Sequence, residues 1–182
     1  MDSRENAAIV ADNPKAANVP GQTDDFAARY RTFLPKILGY IRLRVGGDEA
    51  LAQDLTAQTF ERAWAQRHTL RTEAAFPAWL FRIAHNEVAA HYRQQRKTLP
   101  LPGSLPAGTP SPEAGLVQLE TEQRLQRLVQ DLPEREQAII GLKFVAGLTN
   151  RQIAPILGLS EGNVAVILHR TLRKLKRQLD DD

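Results

Sequence analysis

Apolar residues recur every three to four positions over most of the chain, and polar segments interrupt them at regular intervals. From Phe26 onward, Phe26, Tyr30, Phe33, Leu34, Ile37, Leu38, Ile41 and Val45 fall on one stripe, the signature of an amphipathic helix. Asp24 or Asp25 is placed to cap its start, and Gly46-Gly47 to end it. Asp48 is placed to cap a second helix whose inner side would hold Leu51, Leu55, Phe60, Ala63 and Trp64. A polar loop, RHTLRTEAAF, precedes a third helix with Pro77 in its first turn. Leu80, Ile83, Ala84 and Val88 would face inward there, and Arg93, Gln94, Gln95, Arg96 and Lys97 outward. Residues 1–23 show no apolar period and read as a disordered tail. Residues 98–115, TLPLPGSLPAGTPSPEAG, carry five prolines and three glycines, which exclude a regular helix or central strand. They read as a linker. Beyond it the pattern predicts a helix around Leu116–Asp131, another from Pro133 to Gly147, and a final pair ending near Leu179. The expected fold is all-α: two small helical domains, 24–97 and 116–179, strung on a Pro/Gly-rich linker.

The final pair has a definite local grammar. Thr149 stands where an N-cap belongs, and Ile153, Ala154, Ile156 and Leu157 form an apolar face. Gly158 can adopt the left-handed conformation that stops a helix, Leu159 can fold back inside, and Ser160 can cap the next helix. There Val164, Ile167, Leu168, Thr171, Leu172, Leu175 and Leu179 repeat at helical spacing. This is the pattern of a helix-turn-helix, whose second helix enters the DNA major groove by its N-terminal end. Glu161, Asn163, Val166, His169, Arg170 and Arg173 fall on or near its free side, and the amides at Thr149 and Ser160 can hold phosphates. A plain αα-hairpin in a bundle core is the competing reading. Pro155 sits inside the first of the two helices and should kink it or cost stability. In the third helix, Trp79, Phe81 and Tyr92 are interleaved with basic residues, a composition suited to unstacked bases. For Trp79, surrounded by apolar neighbours, a core position is the favoured reading.

Charge sharpens this picture. The net charge is +3, but it is unevenly spread. Residues 70–97 hold five Lys/Arg against two Glu, and residues 143–179 hold seven against one. Two basic segments point to a polyanion held at two places. The chain has no cysteine, which excludes disulfides and thiolate zinc sites and fits a reducing compartment. There is no signal-type apolar stretch at the start and no run near the ~18 apolar residues of a membrane span. A soluble, cytoplasmic protein is expected. His68, His85, His91 and His169 lack metal-ligand spacing, and there is no phosphate loop or nucleophile elbow. Neither an enzyme nor a bound cofactor or metal is expected.

Four motifs in order, DLTAQTFERAW (54–64), FPAWLFRIAHN (76–86), LPEREQAIIGLKF (132–144) and IAPILGLSEGNVAVILHR (153–170), give the chain its resemblance. It resembles the extracytoplasmic-function (ECF) sigma factors of bacterial RNA polymerase over about residues 26–97 and 116–177. The resemblance implies two helical domains, regions two and four. Region two would dock on the clamp helices of the largest polymerase subunit through Asp54, Gln58, Glu61 and Arg62. The loop 67–75 and the helix after it would melt the minus-ten element and hold a flipped base, with Arg82, His85, Asn86, Arg93 and Arg96 along the strand. Region four would read the minus-thirty-five element and touch the flap of the second-largest subunit. The linker would thread toward the RNA exit path. An anti-sigma partner is implied as well. The chain departs from the family's usual residues at Gln53, Ala57 and Gln58, which makes the docking surface less acidic, and at Ala90. It departs again at Ala165, Val166 and Ile167, which shifts base reading toward Glu161, Asn163, His169 and Arg170. The alternative is a stand-alone helix-turn-helix repressor or activator that binds duplex DNA by itself, usually as a symmetric dimer.

Overall fold

The computed structural model describes residues 22–98 and 124–180, with side chains for 26–95 and 124–180. The expected tail lies almost wholly outside these residues, as do the linker and the start of the helix after it. Among the described residues there is no strand. Helix α1 is Gln22–Arg44, α2 Glu49–Ala65 and α3 Phe76–Thr98. Helix α4 covers 124–130, α5 is Glu134–Ile140, α6 Asn150–Leu157 and α7 Glu161–Asp180.

Most boundaries follow from the chain's own punctuation. Gly46 and Gly47 turn away from α1 at φ 70 and 83, where a side chain would be strained. Asp48 accepts the Leu51 amide at 3.0 Å and so caps α2. Two boundaries differ from expectation. Helix α1 begins at Gln22, so Asp24 and Asp25 lie within its first turn and not at its cap. The helix expected to run from Pro133 to Gly147 is α-helical only to Ile140, then widens into a π-turn over Gly141–Val145. There the Ala146 amide reaches the Gly141 carbonyl, five residues back, at 3.0 Å. The loop 66–75 contains two single turns of tight helix, Arg67–Thr69 and Glu73–Ala75.

Helices α1–α3 close around Ile37, Tyr40, Ile41, Leu55, Phe60, Leu80, Phe81 and Val88, all buried. Aromatic rings meet edge-on, as Tyr40 does with Phe81 at 5.6 Å and Phe33 with Phe76 at 5.3 Å. Thr56 and Thr59 are buried in α2, and each hydroxyl is satisfied by the carbonyl four residues back at 2.7 Å. Trp64 does not join this core. It is 36% exposed, edge-on to Phe26 and beneath the Arg67 guanidinium. Helices α4–α7 enclose Val129, Ile139, Leu142, Leu148, Ile153, Val164, Leu168 and Leu175. Leu172, placed inside by its spacing, is 40% exposed, because it lies one step past the inward row of Leu168, Thr171 and Leu175.

The two bundles are not separate beads. Their buried residues form one continuous cluster. The seam requires close backbone approach: a Cβ on Gly141 would come within 2.8 Å of the Tyr40 ring, and one on Gly39 within 3.3 Å of Val145 Cγ1. Arg44, buried at the end of α1, donates to the Glu134 carbonyl at the start of α5.

Candidate nucleic-acid interface

Helices α6 and α7 carry the local devices read from the sequence. The Thr149 hydroxyl accepts the Gln152 amide at 3.3 Å, and the Gln152 side chain accepts the Thr149 amide at 2.9 Å, a complete capping box. Gly158 is left-handed at φ 65, and the Leu159 amide returns to the Ala154 carbonyl at 2.9 Å, closing the helix in the manner of a Schellman turn. The Ser160 hydroxyl accepts the Asn163 amide at 3.2 Å and starts α7. Pro155 leaves α6 unbroken over its eight residues. Its ring is on the exposed side, so the missing amide costs α6 a bond to the Arg151 carbonyl without disturbing the core.

Helix α7 buries Val164, Leu168, Thr171 and Leu175 on one side. Glu161, Asn163, Val166, His169, Arg170 and Arg173 are all exposed. So are Thr149 and Ser160, although the cap bonds already use their hydroxyls. Val166, 57% exposed, offers an apolar contact of the kind a thymine methyl takes. Arg124 donates to the carbonyls of Gln178 and Leu179 at 2.9 and 3.3 Å, fixing the far end of α7 to α4. The exposed side thus carries Glu161, Asn163 and Val166 toward its N-terminal end and the cations Arg170 and Arg173 further along.

Helix α3 presents a second face. Arg82, Asn86 and Arg93 are exposed, and the Arg96 side chain lies outside the described residues. His85 is placed differently. It is half-buried, and its Nδ1 is 3.2 Å from the Tyr40 hydroxyl. Burial, with Arg44 adding to it, lowers its pKa from 6.5 to about 4. At neutral pH it is therefore uncharged, and the phenol can donate to Nδ1. Burial likewise raises the Tyr40 hydroxyl to about 12 against the pull of Arg44. The loop before α3 is fixed at both ends. The Trp79 indole donates to Thr69 Oγ1 at 3.1 Å, and Arg29, stacked on Phe76, pairs with Glu73 at 3.0 Å. Trp79 is buried, as its neighbours suggested.

On α2, Asp54, Gln58 and Glu61 are exposed at spacings of four and three, so they share one outward face. Arg62 is exposed as well, and its guanidinium pairs with the buried Glu87 of α3 at 2.9 Å. Nothing local in the sequence signals this pair, nor Arg44, whose partner is 90 residues away.

The His85 environment has a measurable consequence. Its folded pKa lies below its unfolded value, so protons favour the unfolded chain. The stability it protects is complete above about pH 6.5 and is lost as pH falls toward 4. Urea unfolding at pH 7.5 and 4.5 should show wild type losing about 2–3 kcal/mol more than His85→Gln, a comparison in which the carboxylate titrations cancel.

Comparison with known proteins settles the family. The families described as Sigma-70 region 2 and Sigma-70, region 4 match residues 29–98 and 122–175. The ECF RNA polymerase sigma factor SigL of Mycobacterium tuberculosis is 31% identical over 150 residues, 80% of this chain and 84% of that one. The chain belongs to the ECF sigma factors. The ECF sigma factor BldN of Streptomyces coelicolor is 34% identical over 89% of this chain, which spans 63% of BldN's length. In fold, this sigma factor resembles the solved RpoE of Bartonella quintana, in complex with the anti-sigma factor NepR. The TM-score is 0.70 at 22% identity, over 87% of this chain and 99% of that one. This protein is therefore an RNA polymerase-associated, promoter-directing subunit with regions two and four. Among the described residues no helix is long and apolar enough to cross a membrane, and no group of three or more His, Cys, Asp or Glu could hold a metal.

Proposed function

We propose that the sigma factor docks on core polymerase through the α2 face of Asp54, Gln58 and Glu61, reads the minus-thirty-five element with α7, and opens the minus-ten element along α3. The observation that carries this reading is the division of α7 into a buried apolar row and an exposed row of Glu161, Asn163, Val166, His169, Arg170 and Arg173. Such a helix can lie in the major groove without leaving its own core. Along α3, Asn86 and the cations Arg82 and Arg93 are exposed to meet a separated strand. The uncharged His85 supports the shape of that face more than it attracts phosphate. Arg62, held by Glu87, acts by fixing α2 against α3. The flap of the second-largest subunit is the partner assigned to region four. An anti-sigma factor is assigned as the inhibitor, supported by the complex in which the similarly folded RpoE was solved. The site of action is the cytoplasm, with the polymerase.

Run-off transcription with purified core polymerase tests this. Initiation at a discrete promoter that needs both proteins supports the reading. Tight, sequence-specific duplex binding by the sigma factor alone, with no initiation, would support a stand-alone repressor. Within the same assay Arg173→Ala should weaken promoter binding across sequences and reduce its salt slope by about one unit. Asn163→Ala should instead shift sequence preference, since a base-edge contact carries roughly 1–3 kcal/mol of discrimination.

A further inference from the structure

A cleft of about 280 Å³ opens where the end of α1, helix α3 and the start of α5 meet. Arg44, Arg93 and Arg135 line it together with His85, Tyr92 and Glu134. His85 is uncharged at neutral pH, so the lining sets three guanidinium groups against one carboxylate.

Arg44 makes this excess more than a solvated surface feature. Arg93 and Arg135 are exposed, and water screens them. Arg44 is buried, with 7% of its surface exposed. It meets Glu134 through the backbone carbonyl and not through the carboxylate. Among the described residues it makes no ion pair, and its Nε has no hydrogen-bond partner. A charge taken out of water is ordinarily paired, because a single neutral acceptor does not offset the hydration it has lost. The Tyr92 hydroxyl donates to the Arg44 carbonyl at 3.0 Å, which holds the end of α1 against α3 and keeps the guanidinium at the cleft. Its charge is delocalised over the whole fork, so an anion in the cleft offsets it without reaching Nε.

Charge and size select the class of anion. Guanidinium forks match the oxygens of phosphate. A phosphate monoester carries close to two negative charges at neutral pH, which equals the excess of three guanidinium groups over one carboxylate. The volume admits a phosphate with a small substituent and is below the range of most larger organic ligands.

We propose that this cleft is a binding site for a free phosphate-type dianion, inorganic phosphate or a small phosphate monoester. The site is independent of how the promoter is read. Arg44 and Arg93 belong to region two and Arg135 to region four, so the bound anion would strengthen the seam between them.

The full chain, in phosphate-free buffer with chloride holding the ionic strength, should bind inorganic phosphate with a Kd of about 1 mM or tighter. In proton–nitrogen correlation spectra, the Nε–H signals of Arg44 and Arg135 should shift saturably as phosphate is added. Methyl phosphate should behave alike. Dimethyl phosphate, a monoanion like the nucleic-acid backbone, should bind at least about tenfold more weakly. Arg135→Gln should weaken phosphate binding about tenfold, and Glu134→Gln should tighten it by removing a like charge. Both side chains are exposed, so neither change threatens the fold, and a merely structural role would not give opposite signs. Lys176→Gln, outside the cleft on α7, should leave the affinity unchanged. Phosphate should also raise the Tm of wild type more than that of Arg135→Gln, a difference in which its general salting effect cancels. No saturable shift by about 10 mM phosphate, or equal affinity in wild type and Arg135→Gln, would overturn the proposal. Dimethyl phosphate bound as tightly as methyl phosphate would overturn it too, and would assign the cleft to a nucleic-acid backbone.

Discussion

Replacing Asn86 by alanine should lower open-complex formation on a duplex promoter by about five- to 150-fold, the worth of one base-edge contact of roughly 1–3 kcal/mol. Asn86 is exposed on α3, one residue before the buried Glu87. Its amide can pair with a base edge only after the base has left the stack, a step that costs a few kcal/mol. On a template already mismatched across the melted bases that cost is absent, so the defect should shrink. Polymerase binding should be unchanged, because the proposed docking residues Asp54, Gln58 and Glu61 are on α2 and the Arg62–Glu87 pair is untouched. Permanganate footprinting of both templates reads the opening directly. Equal opening of duplex DNA by wild type and mutant would remove Asn86 from the site.

The largest stability effect is expected at Phe81→Ala. Phe81 is fully buried, edge-on to Tyr40, and next to Arg82 on α3. Removing a buried ring of this kind costs about 3–5 kcal/mol through lost transfer energy and the cavity left behind. Leu172→Ala, on the exposed side of α7, should cost less than about 1 kcal/mol. Urea melts of the two variants should differ by several-fold in lost stability. A loss at Leu172 as large as that at Phe81 would mean that α7 has a packed partner on its outer face.

The sequence was most legible where a device acts over one turn. Asp48, Thr149, Ser160 and Gly158 each perform the capping role their position implied, because a cap depends on atoms three residues away. The inward stripe of α3 was right throughout, while those of α1, α2 and α7 each included one residue, Tyr30, Trp64 and Leu172, that is exposed. Trp64 and Leu172 keep helical spacing but lie a step beyond the inward row, and periodicity alone does not fix how wide a face its neighbours cover. What escaped altogether is long-range. Arg62 faces α3 because Glu87 is there, and Arg44 is buried because α5 begins beside it. The π-turn at Gly141–Val145 belongs with these: it lies where Gly141 meets Tyr40, a contact that no window of neighbouring residues contains. For the same reason the seam between the domains could not be foreseen from a chain that reads as two units and a linker.

The brevity of α6 sets a condition on how the α6–α7 unit forms. Eight residues fall well short of the roughly 12–15 at which a helix begins to hold in water by itself, because nucleation is so unfavourable. Its persistence depends on the Thr149–Gln152 box at one end, the Gly158 turn at the other, and the burial of Ile153, Ala154 and Ile156 between them. The caps only satisfy the ends of a helix that already exists, so α6 should appear only together with the hydrophobic floor laid by its neighbours. Its amides should then exchange with solvent in a single step with those of Val164 and Leu168 on α7, with no slow peeling from the ends. A transplant of the proposed promoter-reading surface between relatives would therefore have to move α5 through α7 as one block, since a grafted α6–α7 hairpin would arrive without the surface that makes its first helix a helix.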